Sequence, residues 1–301
     1  MNREWADILR ELEQKGASDW TRVLEGKTYR RRFERPERLI LLGGGHVAQA
    51  VAVLAPKLQY TATVVDDRPD FANHTLFPDA ETVICDAFPA AVPKLSVCAR
   101  DSVCVLTRGH RWDADCLRAV LKGEMPGYLG MIGSRRRAAA LMETLRAEGY
   151  DPEKLEQIHT PIGLPIHAQT PAEIAVSIAA ELIQVRRSRP AARDILERTD
   201  TDEAMLRFLA GSDAPRALLM ALETSGPAPV APGAMMALDR AGRSFGTVGG
   251  GCAEGEAMAK ARNLMGSGQR AVLSLDLSGD FTREGMVCGG SMKILVEDIP
   301  G

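Results

Sequence analysis

At 301 residues, 45% of them hydrophobic, the chain can bury a sizeable core and exceeds the usual size of one domain, so two domains are the starting expectation. A formal net charge of −3 argues against a nucleic-acid-binding surface as its main business. No apolar run approaches the roughly 18 residues of a membrane span, and Met1-Asn2-Arg3-Glu4-Trp5 lacks the apolar centre of a signal peptide, so a cytoplasmic protein is expected.

The six cysteines (85, 98, 104, 116, 252 and 288) form no CxxC pair, and reduced thiols are expected of them. Residues 1–35 read as a helical arm. Trp5, Ile8, Leu9 and Leu12 recur at helical spacing, Gly16 is a stop, and Ser18-Asp19 caps a second short helix carrying Trp20, Val23 and Leu24. The arm reads as an accessory or dimerisation element, so a homo-oligomer is expected. Arg30, Arg31, Arg32, Arg35 and Arg38, interrupted by Glu34 and Glu37, read as a solvated helix end or linker.

From Arg38 the pattern becomes strand, turn, helix, repeated as far as residue 190, which predicts a Rossmann-like doubly wound parallel sheet over residues 36–190. The first unit runs Leu39-Ile40-Leu41-Leu42 into Gly43-Gly44-Gly45-His46-Val47-Ala48. One glycine allows the tight turn, the next lets backbone approach a pyrophosphate, and Ala48 lets helix pack on strand. The helix N-terminus adds N–H donors and a positive dipole end for an anion. Asp66, about 20 residues on at the end of the strand Thr61-Ala62-Thr63-Val64-Val65-Asp66-Asp67, is placed to accept from ribose hydroxyls, which favours NAD over a 2′-phosphorylated cofactor. The alternative is plain strand-end turn chemistry in Asp66-Asp67-Arg68-Pro69.

Further strands are predicted at residues 82–85, 102–106 and 127–132. Cys85, Cys98, Cys104 and Cys116 sit in or beside these elements and read as small buried hydrophobes. The residues just past the strands line a crevice at their carboxyl ends: Gly43, Gly44 and Gly45, Asp66 and Asp67, Thr107-Arg108-Gly109-His110, and Gly133-Ser134-Arg135-Arg136. Ser134 caps the next helix, whose first-turn arginines oppose the dipole and suit a phosphate or carboxylate clamp. His110 is an acid/base candidate or a structural histidine. Thr170, Pro171 and Glu173 make a strong helix start, and Arg186-Arg187-Ser188-Arg189-Pro190 marks a domain boundary.

Residues 191–210 read as a linker ending in a short helix. Residues 211–301 form a smaller α/β (α+β) domain, with strands at 216–224, 235–238, 246–248, 271–277 and 292–296 and a helix opening at Gly249-Gly250-Gly251-Cys252-Ala253-Glu254. Cys252, at a helix N-terminus, and Cys288, in Cys288-Gly289-Gly290, lie in glycine-rich loops. Such a place exposes a thiolate for a soft metal or for sulfur transfer. Two cysteines tolerated in tight loops is the other reading.

Gly43-Gly44-Gly45-His46-Val47-Ala48, Val65-Asp66-Asp67-Arg68-Pro69, Thr107-Arg108-Gly109-His110, Gly130-Met131-Ile132-Gly133-Ser134-Arg135-Arg136 and Thr170-Pro171-Ala172-Glu173-Ile174-Ala175 resemble the Rossmann domain of the XdhC/CoxI family. Gly246-Thr247-Val248-Gly249-Gly250-Gly251-Cys252-Ala253-Glu254-Gly255 and Gly285-Met286-Val287-Cys288-Gly289-Gly290 resemble its smaller domain. The resemblance implies an accessory factor for molybdenum hydroxylases of the xanthine dehydrogenase type, one that binds the molybdenum cofactor in its molybdopterin form and assists its sulfuration and insertion. It implies partners in a client hydroxylase and a cysteine desulfurase. Cys252 and Cys288, with Gly250, Gly251, Glu254 and Gly289 around them, would contact the molybdenum or its sulfur. The crevice residues, His46 and Val47 among them, would hold NAD or another nucleotide. Two departures stand out. The family usually places the cysteine domain first, and Pro227 and Val230 replace the Ser and Arg of its Gly-Ser-x-Pro-Arg loop. Two other readings stay open: an NAD-dependent dehydrogenase using His110 or His167, and a redox or nucleotide sensor.

Overall fold

The computed structural model describes residues 2–188, 196, 201–211, 214–277 and 290–300, apart from the side chain of Cys252. The chain divides into two compact units, one built from residues 36–190 and the other from residues 1–35 together with 191–301.

The discontinuous unit begins with helix α1 (Arg3–Lys15). Asn2 accepts the Trp5 N–H as N-cap, and Gly16 ends the helix at φ 76°. Trp5, Ile8 and Leu12 form its buried face. The second short helix expected near Ser18 is instead a β-hairpin. β1 (Ala17–Leu24) pairs antiparallel with β2 (Lys27–Glu34), and Glu25-Gly26 turns between them with both φ values positive. That is a two-residue hairpin loop whose twist matches the strands. Burial has period two: Ser18 and Trp20 on β1, then Tyr29, Arg31 and Phe33 on β2. The arginine cluster is therefore a strand and not a helix end. Arg31 faces inward over the Phe33 ring, while Arg30 and Arg32 face outward towards Asp19.

The second unit follows. β3 (Glu37–Leu42), β4 (Tyr60–Asp66), β5 (Thr82–Cys85), β6 (Ser102–Val105), β7 (Tyr128–Met131) and β8 (Ile158–His159) form one sheet in the order β5-β4-β3-β6-β7-β8. Every pairing is parallel. The order reverses between β3 and β6, the switch point at which such folds bind ligands. The connecting helices are α2 (His46–Leu54), α3 (Phe88–Lys94), α4 (His110–Leu121), α5 (Arg135–Ala147), α6 (Pro152–Glu156) and α7 (Pro171–Ser188). Ile40, Leu42, Val103 and Val105 pack on one face against α3, α4 and α5, and Leu39, Leu41 and Cys104 pack on the other against α2 and α7. Both faces of the sheet are covered, as the near-continuous apolar strands require.

Cys104 and Cys116 are fully buried, and burial pushes both thiols far above their ordinary value. Cys98 is half-buried. Cys85 departs from the buried reading: it closes the edge strand and is exposed.

The discontinuous unit resumes with α8 (Glu203–Ala210), then β9 (Arg216–Ser225), β10 (Met235–Asp239), β11 (Ser244–Gly246), α9 (Gly251–Leu264), β12 (Arg270–Asp276) and β13 (Ser291–Ile299). These strands form an antiparallel sheet in the order β11-β10-β9-β13-β12. Along β9 the period-two alternation separates two cores. Leu218, Met220 and Leu222 join Trp5, Trp20, Phe33 and Leu209, whereas Ala217, Leu219 and Ala221 join Ala253, Ala257 and Ala261 of α9. The overall class is α/β: a Rossmann-like parallel sheet plus a smaller α+β unit that carries Cys252. Among the described residues no helix is long and apolar enough to cross a membrane.

Candidate functional site

The candidate site residues read from the sequence fall into two loop clusters, one in each unit. In the parallel-sheet unit the residues expected at the crevice do assemble past the ends of β3, β4, β6 and β7. Gly43 takes φ +117°, and a Cβ there would stand 2.5 Å from the Leu106 carbonyl oxygen. Gly45 caps α2 without a side-chain partner, and His46 and Val47 open the helix. His46 and His110 are exposed at the starts of α2 and α4.

Asp66, expected to face a ribose, is 1% exposed and turned inward. It accepts the Gly44 N–H at 2.8 Å, the Arg68 N–H at 3.0 Å, and Arg68 Nε and Nη2 at 2.8 and 2.9 Å. Asp67 instead meets Arg108 in a two-pronged pair, 2.5 and 2.9 Å, and the guanidinium holds its carboxyl down at about 2. Arg68 lies 3.7 Å over the Phe71 ring and Arg108 lies 4.0 Å over that of Trp112.

Thr107 donates to the buried Asp113, which also pairs with Arg137. Burial raises the Asp113 carboxyl above its ordinary value despite these partners. Gly109 extends into α4 as its cap, and the Ser134 hydroxyl accepts the Arg137 N–H at 3.3 Å, as the predicted N-cap should. Gly133 has φ +159°, and Arg135 and Arg136 are exposed at the start of α5. His110 and His167 are both exposed.

A third polar cluster escaped the sequence reading. Glu181 of α7 accepts Tyr128 Oη at 2.5 Å and the Gly163 N–H at 2.8 Å, and faces His159 Nδ1 at 3.2 Å. The His159 ring stacks on Tyr128, with centroids 4.8 Å apart. These hydrogen bonds hold the Glu181 carboxyl below its ordinary value although burial opposes them. The available signal was a glutamate on the buried face of α7, beside Ile178 and Leu182.

In the smaller unit the glycine loop before α9 is shaped by positive φ values at Gly246, Gly249, Gly250 and Gly251. Glu254 turns back into it. Its Oε2 accepts from Thr247 Oγ1, from the Val248 N–H at 2.9 Å and from the Gly250 N–H at 3.1 Å. These bonds hold the carboxyl below its ordinary value against the effect of burial. Glu254 thus shapes the backbone around Cys252, the second residue of α9. A Cβ on Gly249 would stand 2.5 Å from Pro229 Cγ, and one on Gly290 would stand 2.4 Å from the Pro227 carbonyl oxygen, whereas Gly250 has nothing within 4 Å. The segment 227–229 therefore touches the Cys252 loop at one end and, at the other, the residue two positions after Cys288. Cys288 and Gly289 themselves lie outside the described residues.

Comparison with known proteins agrees with this architecture. Residues 39–182 match the XdhC Rossmann domain, and residues 209–276 match the XdhC and CoxI family. The chain is 32% identical over 157 residues to a probable xanthine dehydrogenase subunit of Bacillus subtilis, covering 52% of this chain and 45% of that protein. It is 27% identical over 150 residues to the molybdenum cofactor insertion chaperone PaoD of Escherichia coli, covering 50% and 40%. A crystal structure of a xanthine dehydrogenase from Bacillus halodurans superposes with a TM-score of 0.51 at 31% identity, covering 56% of this chain and 48% of that one. The chain spans less than half the length of the curated relatives it matches. With its parallel-sheet unit and its glycine-loop unit matched in that order, the chain belongs to the XdhC and CoxI family.

Proposed function

We propose that the chain is a maturation factor for a molybdenum hydroxylase of the xanthine dehydrogenase type, with the molybdenum cofactor as its cargo. The carrying observation is that segment 227–229 packs against Gly249, in the glycine loop that leads to Cys252, and against Gly290 just before β13. Two cysteines set among glycines in the sequence suit a soft metal or its sulfur, and the open space beside Gly250 leaves room for a flat ligand to approach backbone. The names of the relatives point to the same role. On this reading a cysteine desulfurase is the sulfur source, the client hydroxylase receives the cargo, and the parallel-sheet crevice holds a phosphorylated or nucleotide portion as a handle.

The test is mass spectrometry of ligand released from the full chain purified without oxygen. The wild type is expected to release a pterin, and Cys252→Ala and Cys288→Ala to release at most about a tenth as much, the cost of one charge-assisted contact at its lower end. Undiminished pterin in both variants overturns the cysteine role, and no pterin in any sample overturns the cargo.

A further inference from the structure

A groove of about 450 Å³ opens between α3 and α4, and none of the crevice residues lines it. That volume falls in the range of small-molecule sites. The two helices pack on the sheet through Val92 and Val120, but their outer edges do not close on each other. On the α3 side Pro89 and Pro93, one turn apart, present short rigid rings, and across from them α4 offers only the methyl of Ala119. Arg118 is long enough to fill the gap. It is drawn off instead to Glu148 by hydrogen bonds of 2.8 and 2.6 Å, and to Asp115 at 3.3 Å.

The polar groups are sorted along the groove. Asp115 and Lys122 both lie on its α4 wall, seven residues and so about 10 Å apart along the helix. Asp115 is paired with Arg118. α3 and α4 both run back from parallel strands, so their C-termini lie at the same end, which places Ser96, just past α3, at the Lys122 end. Neither the Ser96 hydroxyl nor the Lys122 ammonium has a hydrogen-bond or ion-pair partner among the described residues. One end of an apolar groove thus holds two unused donors, and the other holds a carboxylate.

We propose that this groove binds a small apolar monocarboxylate, one or two rings across, whose carboxylate is received by Lys122 Nζ and the Ser96 hydroxyl. The proline rings, Val92 and Val97 take the apolar body. Asp115 repels a second carboxylate at the far end, which separates a monocarboxylate from a dicarboxylate. The site stands apart from both the glycine-loop crevice and the cysteine loops.

The probes are 2-naphthoate and its uncharged counterpart 2-naphthamide. Each is titrated into the full chain with labelled valine and alanine methyls and followed by NMR, with thermal melts confirming that every variant is folded. Naphthoate is expected to move the Val92, Val97 and Ala119 methyl resonances with a Kd of about 0.1–1 mM, ordinary for a ligand of its size. The amide is expected to bind about threefold more weakly, the strength of one solvent-accessible ion pair. Lys122→Gln is expected to weaken naphthoate by the same factor and leave the amide unchanged, and Ala119→Phe, which fills the groove, to abolish binding of both. Acid and amide binding equally well, or naphthoate indifferent to Lys122→Gln, overturns the proposal, because the carboxylate is then not recognised. Shifts that leave Val92 and Val97 unmoved place the probe elsewhere and overturn it too, as does the absence of any shift at millimolar naphthoate.

Discussion

Single residues set the shape of both loop clusters. Glu254 satisfies two backbone N–H groups and a hydroxyl of the glycine loop with one oxygen. Glu254→Ala leaves those donors without their acceptor and is expected to cost about 1–3 kcal/mol, measured by urea unfolding. The glycines of the other loop are separable in the same way. Gly44→Ala drives a methyl into the Phe71 carbonyl and is expected to cost about 1–3 kcal/mol or more, whereas Gly45→Ala, with open space around it, should melt close to the wild type. Equal melting of the two variants would contradict this division. The position of the glycine loop at the end of β3 and of Asp66 at the end of β4 was legible, since glycine spacing and an acid about 20 residues on are properties of the chain alone. Which way Asp66 faces was not legible. That depends on Arg68 folding back onto it and on Phe71 coming over Gly44, and neither contact has a periodic signature.

At the scale of elements, the parallel strands and their helices were legible because each apolar run ends in a turn and hands over to a helical period. The hairpin β1–β2 was not. Its inward positions include Arg31, so the alternation of Tyr29 and Phe33 was masked by a run of charge. The hairpin is fastened to β9 through Glu223, which accepts Lys27 Nζ and Tyr29 Oη and lies 3.4 Å from Lys293 Nζ. These partners, Lys27 foremost, hold the Glu223 carboxyl down from 4.5 to about 2, while Tyr29 is pushed up to about 12 by burial and by Glu223. A depressed acid contributes stability that is fully present above 4.5 and lost as pH falls towards 2. The difference in unfolding free energy between pH 7 and pH 3 should therefore be smaller in Glu223→Gln than in the wild type, and an unchanged difference would remove the clasp. Glu181 plays the corresponding part in the other unit. Glu181→Ala strands Tyr128 Oη and the Gly163 N–H and is expected to cost about 3 kcal/mol by chemical denaturation.

For the whole molecule, two domains follow from length and from the change of texture near residue 190, but the partnership of the first 35 residues with the last third of the chain does not. Trp5, Trp20 and Phe33 close a core whose other wall is Leu218, Met220, Leu222 and Leu295, a relation between distant segments to which no local pattern points. Removing residues 1–35 should expose that wall and make the remaining chain aggregate, with the parallel-sheet unit still giving its own melting transition by calorimetry. A fully soluble truncated chain with two intact transitions would show that the arm is dispensable.

The same discontinuity sets an order of events on the ribosome. α1 and the β1–β2 hairpin emerge well before β13, yet the sheet that buries their tryptophans is complete only when β13 has been made. At roughly 5–20 residues per second, tens of seconds separate the two. During that interval the parallel-sheet unit, whose chain is continuous, is free to fold, while Trp5, Trp20 and Phe33 lack the wall of Leu218, Met220, Leu222 and Leu295 that covers them in the finished unit. Fast translation or a holding chaperone that covers α1 and the β1–β2 hairpin until β13 is made is therefore expected to raise the soluble yield.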